Sequence, residues 1–98
     1  MWILQNAQES DPRVTFRLRT GAIKTIGRTS GAEFILDAPL VSRLHCRLSA
    51  REDAIEVVDL GSTNGTYVNG KRTRKAEVAA GDTLRIGRVE LQVKKRSR

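Results

Sequence analysis

The chain has one cysteine, one histidine and two prolines, and its aromatic residues, Trp2, Phe16, Phe34 and Tyr67, make up only 4% of 98 residues. A lone Cys46 cannot close an internal disulfide, so the fold is no disulfide scaffold, and the expected setting is a reducing one inside the cell, cytoplasm or nucleus. Cys46 and His45 are too few for a Cys/His zinc site, and the pattern implies neither a metal nor a cofactor. The opening MWILQNAQESDPR has no basic start and no long apolar run, so neither a secretory leader nor a membrane span is expected. With so few aromatics, the core has to be built from Ile, Val and Leu.

The rest is the composition of one globular domain. Hydrophobic residues are 39% and charged residues 30% of a chain that can bury a single core. Eighteen Lys and Arg against eleven Asp and Glu leave a net charge of +7, which favours an anionic partner without choosing among phosphopeptide, nucleic acid and membrane surface.

Val14, Phe16 and Leu18 alternate with Thr15 and Arg17, and Val89, Leu91 and Val93 alternate with Glu90 and Gln92. Cys46 and Leu48, Ile55 and Val57, and Leu84 and Ile86 repeat this period of two, the mark of half-buried strands. No window holds a helical period. Turn residues separate the runs: Thr20-Gly21, Gly61-Ser62, Asn64-Gly65, Asn69-Gly70 and Gly81-Asp82. The expected fold is all-β, a two-sheet antiparallel sandwich, with Thr66 to Lys71 a hairpin turning through Asn69-Gly70 in a type I′ turn. Residues 94–98, all charged except Ser97, read as a basic tail outside the domain.

Polar clusters stand at the ends of these runs: Gly27-Arg28, Ser42-Arg43-Leu44-His45, and Gly61 to Thr66. Arginines, hydroxyls and a Gly-flanked Thr-Asn loop are the donors that a phosphate requires, if the fold brings them together. Their order and spacing, with Asp59-Leu-Gly-Ser-Thr-Asn-Gly-Thr-Tyr-Val-Asn-Gly70 and the later Gly81 to Gly87, resemble the signature of the forkhead-associated (FHA) family. The resemblance implies an FHA (SMAD/FHA-like) sandwich over residues 1–93 that binds a phosphothreonine-containing protein or peptide through loops at one end, with no catalysis and no membrane attachment.

By position, the resemblance makes Arg28 and Ser42 phosphate contacts, Arg43 a second charge and Thr63 a donor from the facing loop. Asn64 would hold the peptide backbone beside the phosphothreonine. Gly27, His45, Gly65 and Asn69 would be structural support. Leu40 stands two places before Ser42, where some relatives carry a charged selector. Met1-Trp2 and Phe16 to Gly21 are also weakly similar to the start of nibrin, a component of a DNA double-strand-break repair complex, which implies a DNA damage response setting.

Two other functions fit parts of the pattern. The runs Arg13/Arg17/Arg19, Lys71/Arg72/Arg74/Lys75 and Lys94 to Arg98 could bind nucleic acid directly, although the scattered aromatics give no platform for stacking bases. Ser42, His45 and Asp59 could form a hydrolytic triad, but no nucleophile elbow surrounds Ser42.

Overall fold

The computed structural model describes residues 1–7 and 13–96, and there the alternating runs become eleven strands with no helix. The first five are β1 (Trp2–Gln5), β2 (Thr15–Leu18), β3 (Ile23–Gly27), β4 (Phe34–Ile35) and β5 (Cys46–Ala50). They are followed by β6 (Ile55–Asp59), β7 (Thr66–Val68), β8 (Lys71–Thr73), β9 (Lys75–Val78), β10 (Thr83–Ile86) and β11 (Val89–Lys95). One sheet has six strands in the order β2-β1-β11-β10-β7-β8; the other has five, β4-β3-β5-β6-β9.

Register puts apolar residues opposite one another on the inner faces. Leu4 pairs with Val93, Leu48 with Val57 and Leu84 with Leu91, and all six are buried. Each large aliphatic side chain removed from water contributes about 1.5–3 kcal/mol, so this double layer is the main source of cohesion. Trp2, only 1% exposed, adds a directed tie by donating its indole N–H to the Arg51 carbonyl at 2.9 Å. At the open side of the sandwich the edge strands β2 and β4 meet through Phe16 and Phe34, whose rings stack with centroids 4.7 Å apart.

The Asn69-Gly70 turn has φ of 50° and 84°, the two positive angles that a type I′ hairpin between β7 and β8 requires. Two features depart from expectation. The β3–β4 pairing is parallel, but it spans two residues and carries no periodicity to read. Lys94 and Lys95 continue β11, paired with Ile3 and Trp2, because a lysine stem can lie on a sheet while its ammonium stays in water. Lys95 Nζ stands 5.3 Å above the Trp2 ring and donates to the Glu52 carbonyl. Ser97 and Arg98 of the expected tail lie outside the described residues.

Candidate functional site

The connections β3–β4, β4–β5 and β6–β7 converge at one end of the sandwich. Gly27, the last residue of β3, makes the approach possible: a β-carbon there would stand 1.9 Å from the Arg43 carbonyl oxygen and 2.7 Å from its carbon. Only glycine lets these main chains pass. The Arg28 amide then donates to the Ser42 carbonyl at 3.0 Å, and the His45 amide to the Ile26 carbonyl at 2.8 Å.

His45 is fully buried and joins two loops. Its Nδ1 accepts the Ser42 amide at 3.0 Å, which places the ring proton on Nε2, donated to the Gly65 carbonyl at 2.8 Å. With both nitrogens committed to main chain, the imidazole has none facing the Ser42 hydroxyl. The Asp59 carboxylate is equally engaged elsewhere: it accepts the Ser62 amide at 2.9 Å and the Ser62 hydroxyl at 3.0 Å. The Ser42-His45-Asp59 triad is therefore not assembled.

Asp59 and Ser62 instead shape the β6–β7 loop, a role the sequence reading did not assign to them. Ser62 Oγ also accepts the Gly65 amide at 3.0 Å, so one carboxylate braces the whole turn. An Asp followed three residues later by Ser in a glycine-bearing run was the available signal.

Across the opening, the Thr63 amide donates to Ser42 Oγ at 3.2 Å, and the Asn64 amide group donates to the Leu40 carbonyl at 3.2 Å. Ser42 Oγ thus uses a lone pair inside the protein and keeps its own hydrogen for an external acceptor. Asn64 retains its carbonyl and one N–H.

These ties enclose an open cleft of about 510 Å³ lined by Arg28, Ser42, Arg43, Thr63 and Asn64, together with Leu40, Val41, Leu44 and Gly61. The fold brings all five predicted contact residues to one cavity, and its lining holds no carboxylate. Both arginines are exposed, and among the described residues neither enters an ion pair. Unneutralised guanidiniums beside hydroxyl and amide donors form a receptor for an anion, with charge-assisted hydrogen bonds available to each oxygen.

Gly27, His45 and Gly65 are buried outside the lining and hold the loops that form it. Asn69 does not: it lies beyond the far end of β7, where its Oδ1 accepts the Thr83 amide at 2.9 Å and its Nδ2 donates to Asp82 at 3.2 Å. Its support goes to the hairpin. Cys46 is fully buried beside its cross-strand partner Asp59. Burial, reinforced by the Asp59 charge, pushes its thiol well above the ordinary range and makes it a core residue.

Comparison with known proteins bears on this arrangement. A family model described as FHA domain matches residues 24–87. An oxoglutarate dehydrogenase inhibitor of Corynebacterium diphtheriae is 39% identical over 67 residues, covering 68% of this chain and 47% of the relative. The glycogen accumulation regulator GarA of Mycobacterium tuberculosis is 40% identical over 70 residues, covering 71% of this chain and 43% of the relative. The chain thus spans a little under half the length of these curated relatives. Among solved structures, one from a study of phosphothreonine-dependent FHA domain interactions superposes with a TM-score of 0.85 at 33% identity, covering 99% of this chain and 98% of that one. The FhaA FHA domain, solved in complex with the intracellular domain of Rv3910, gives 0.83 at 34% identity, covering 96% and 100%.

Proposed function

The chain belongs to the FHA domain family, and we propose that it docks a partner carrying phosphothreonine, in the cytoplasm or nucleus, so that a kinase acting on the partner switches the interaction on. The observation that carries this reading is the single cleft in which Arg28, Ser42, Arg43, Thr63 and Asn64 face one another without a carboxylate. A phosphothreonine brings about −1.5 to −2 charges and three acceptor oxygens, which the two guanidiniums and the Ser42 and Thr63 hydroxyls complement. Asn64, with an acceptor and a donor left over, suits the backbone of an extended peptide. GarA and the oxoglutarate dehydrogenase inhibitor are regulators by name, in keeping with a module that acts by binding rather than by turnover.

No chemical step is assigned to the site, since His45 spends both nitrogens on main-chain groups. Hydrogen bonds to charged groups contribute ~1.5–3 kcal/mol each, so loss of Arg28 costs roughly tenfold or more in affinity. The test is a calorimetric titration of matched threonine, phosphothreonine and phosphoserine peptides at physiological salt. The phosphothreonine set alone binds the wild type, Arg28→Ala abolishes binding with an unchanged melting profile, and Ser42→Ala is milder. An unchanged dissociation constant in Arg28→Ala overturns the assignment. Retention of plain nucleic acid with no phosphopeptide binding would move the function to the basic faces.

A further inference from the structure

The outer face of the six-stranded sheet carries a cationic row next to the cleft. Arg85 on β10, Tyr67 on β7 and Arg72 on β8 are direct cross-strand partners. Their chain neighbours Leu84, Ile86 and Thr66 are buried, so the row faces outward. The Arg85 guanidinium lies over the Tyr67 ring, 4.0 Å from its centroid. On the other side, Arg72 rests against Gly65: a β-carbon there would stand 2.7 Å from Arg72 Nε, 3.0 Å from its Cζ and 3.2 Å from Tyr67 Cε1. The nearer cation therefore touches the residue that follows Asn64, and Asn64 lines the cleft.

Neither guanidinium is neutralised. Among the described residues, no ion pair includes Arg72 or Arg85, although Glu90 lies across from Arg85 on β11. Among the described residues, Arg85 donates to the Gly87 carbonyl, at 3.5 Å. Strand spacing sets Arg72 and Arg85 about 10 Å apart, with an aromatic ring between them that holds one guanidinium in place by cation–π attraction. Ordered cations without counterions, one of them abutting the cleft, raise the potential along one lip of the site.

The geometry points to an acid-receiving extension of the cleft, formed by Arg72, Tyr67 and Arg85, that takes Asp or Glu side chains of the peptide whose phosphothreonine occupies the site. This rests on the phosphothreonine reading and adds a flank preference to it. An extended peptide advances about 3.3 Å per residue, so a carboxylate two to four positions from the phosphothreonine reaches Arg72 when the chain leaves past Asn64. Leu40, at the place where some relatives carry a charged selector, supplies no such cation, so the preference is carried from the β7–β8 side.

The experiment compares phosphothreonine peptides that have three glutamates on the N-terminal flank only, on the C-terminal flank only, or alanines on both. One acidic flank binds wild type about three- to tenfold more tightly than the alanine peptide, as expected for one or two exposed pairs, and the gain shrinks at high salt. Arg72→Gln removes the gain and leaves the alanine peptide's affinity unchanged; Arg72→Lys keeps most of it; Arg85→Gln reduces it. Equal binding of all three peptides overturns this inference alone. So does an Arg72→Gln variant that weakens every peptide equally, since Arg72 would then be bracing the Gly65 loop. If none of the three phosphopeptides binds wild type while Arg28 is intact, the phosphothreonine reading falls and this extension falls with it.

Discussion

The carbonyl oxygen of Arg43 occupies the space that any side chain on Gly27 would enter, 1.9 Å from an ideal β-carbon. The contact is backbone on backbone, so no rotamer change relieves it. Gly27→Ala must push β3 and the Ser42 loop apart, at a cost of about 1–3 kcal/mol or more, as for overpacked interiors. Chemical denaturation reads the loss, and phosphopeptide affinity falls further than stability alone requires because Arg28 and Ser42 move relative to each other. A variant with wild-type stability and affinity would show that the loop yields freely.

Replacing His45 by alanine leaves the part-buried Ser42 amide and the buried Gly65 carbonyl without their partner. Each unsatisfied group costs about 1–3 kcal/mol, so the expected destabilisation is roughly 2–5 kcal/mol together with the emptied volume. The substitution adds or removes no phosphate contact. Peptide binding should nevertheless weaken in the fraction that remains folded, because the two loops lose their common anchor; calorimetry at a temperature where the variant is folded checks this.

The Cys46 thiol gives a pH prediction. Burial and then Asp59 raise its folded value above the ordinary 9.0. At alkaline pH the unfolded chain releases this proton while the folded chain keeps it, so the folded state binds more protons and stability falls as pH rises. The contribution is intact below the unfolded value and is lost progressively from about pH 9 upward. Cys46→Ala should show a shallower alkaline decline in denaturation midpoint than wild type. In native buffer the wild-type thiol should react with a disulfide reagent only as fast as the protein opens.

The strands whose residues alternate were legible: Val14 to Leu18, Cys46 to Leu48, Ile55 to Val57 and Leu84 to Ile86 are buried or half-buried at the expected positions. β1 was not, because Trp2-Ile3-Leu4 is a short apolar run without alternation, and its place between β2 and β11 depends on residues far along the chain. The candidate site was legible as residue types at fixed spacing, since a phosphate demands particular donors. Its bracing was less so: a buried histidine that reaches Gly65, twenty residues away, and a Thr63 amide that reaches Ser42 are long-range bonds with no local signature. Asn69 shares a motif with the cleft residues and yet serves the hairpin, because three residues of β7 carry it to the opposite end of the sheet.

The tie between Thr63 and Ser42 spans twenty-one positions and joins a connection between the two sheets to one within the five-stranded sheet. Loop closure of that kind forms only after chain entropy has been surrendered over the whole intervening segment. An incompletely folded molecule, even one with its hairpins already made, therefore presents scattered arginines and no receptor. Partner capture then depends on the finished fold rather than on any one loop.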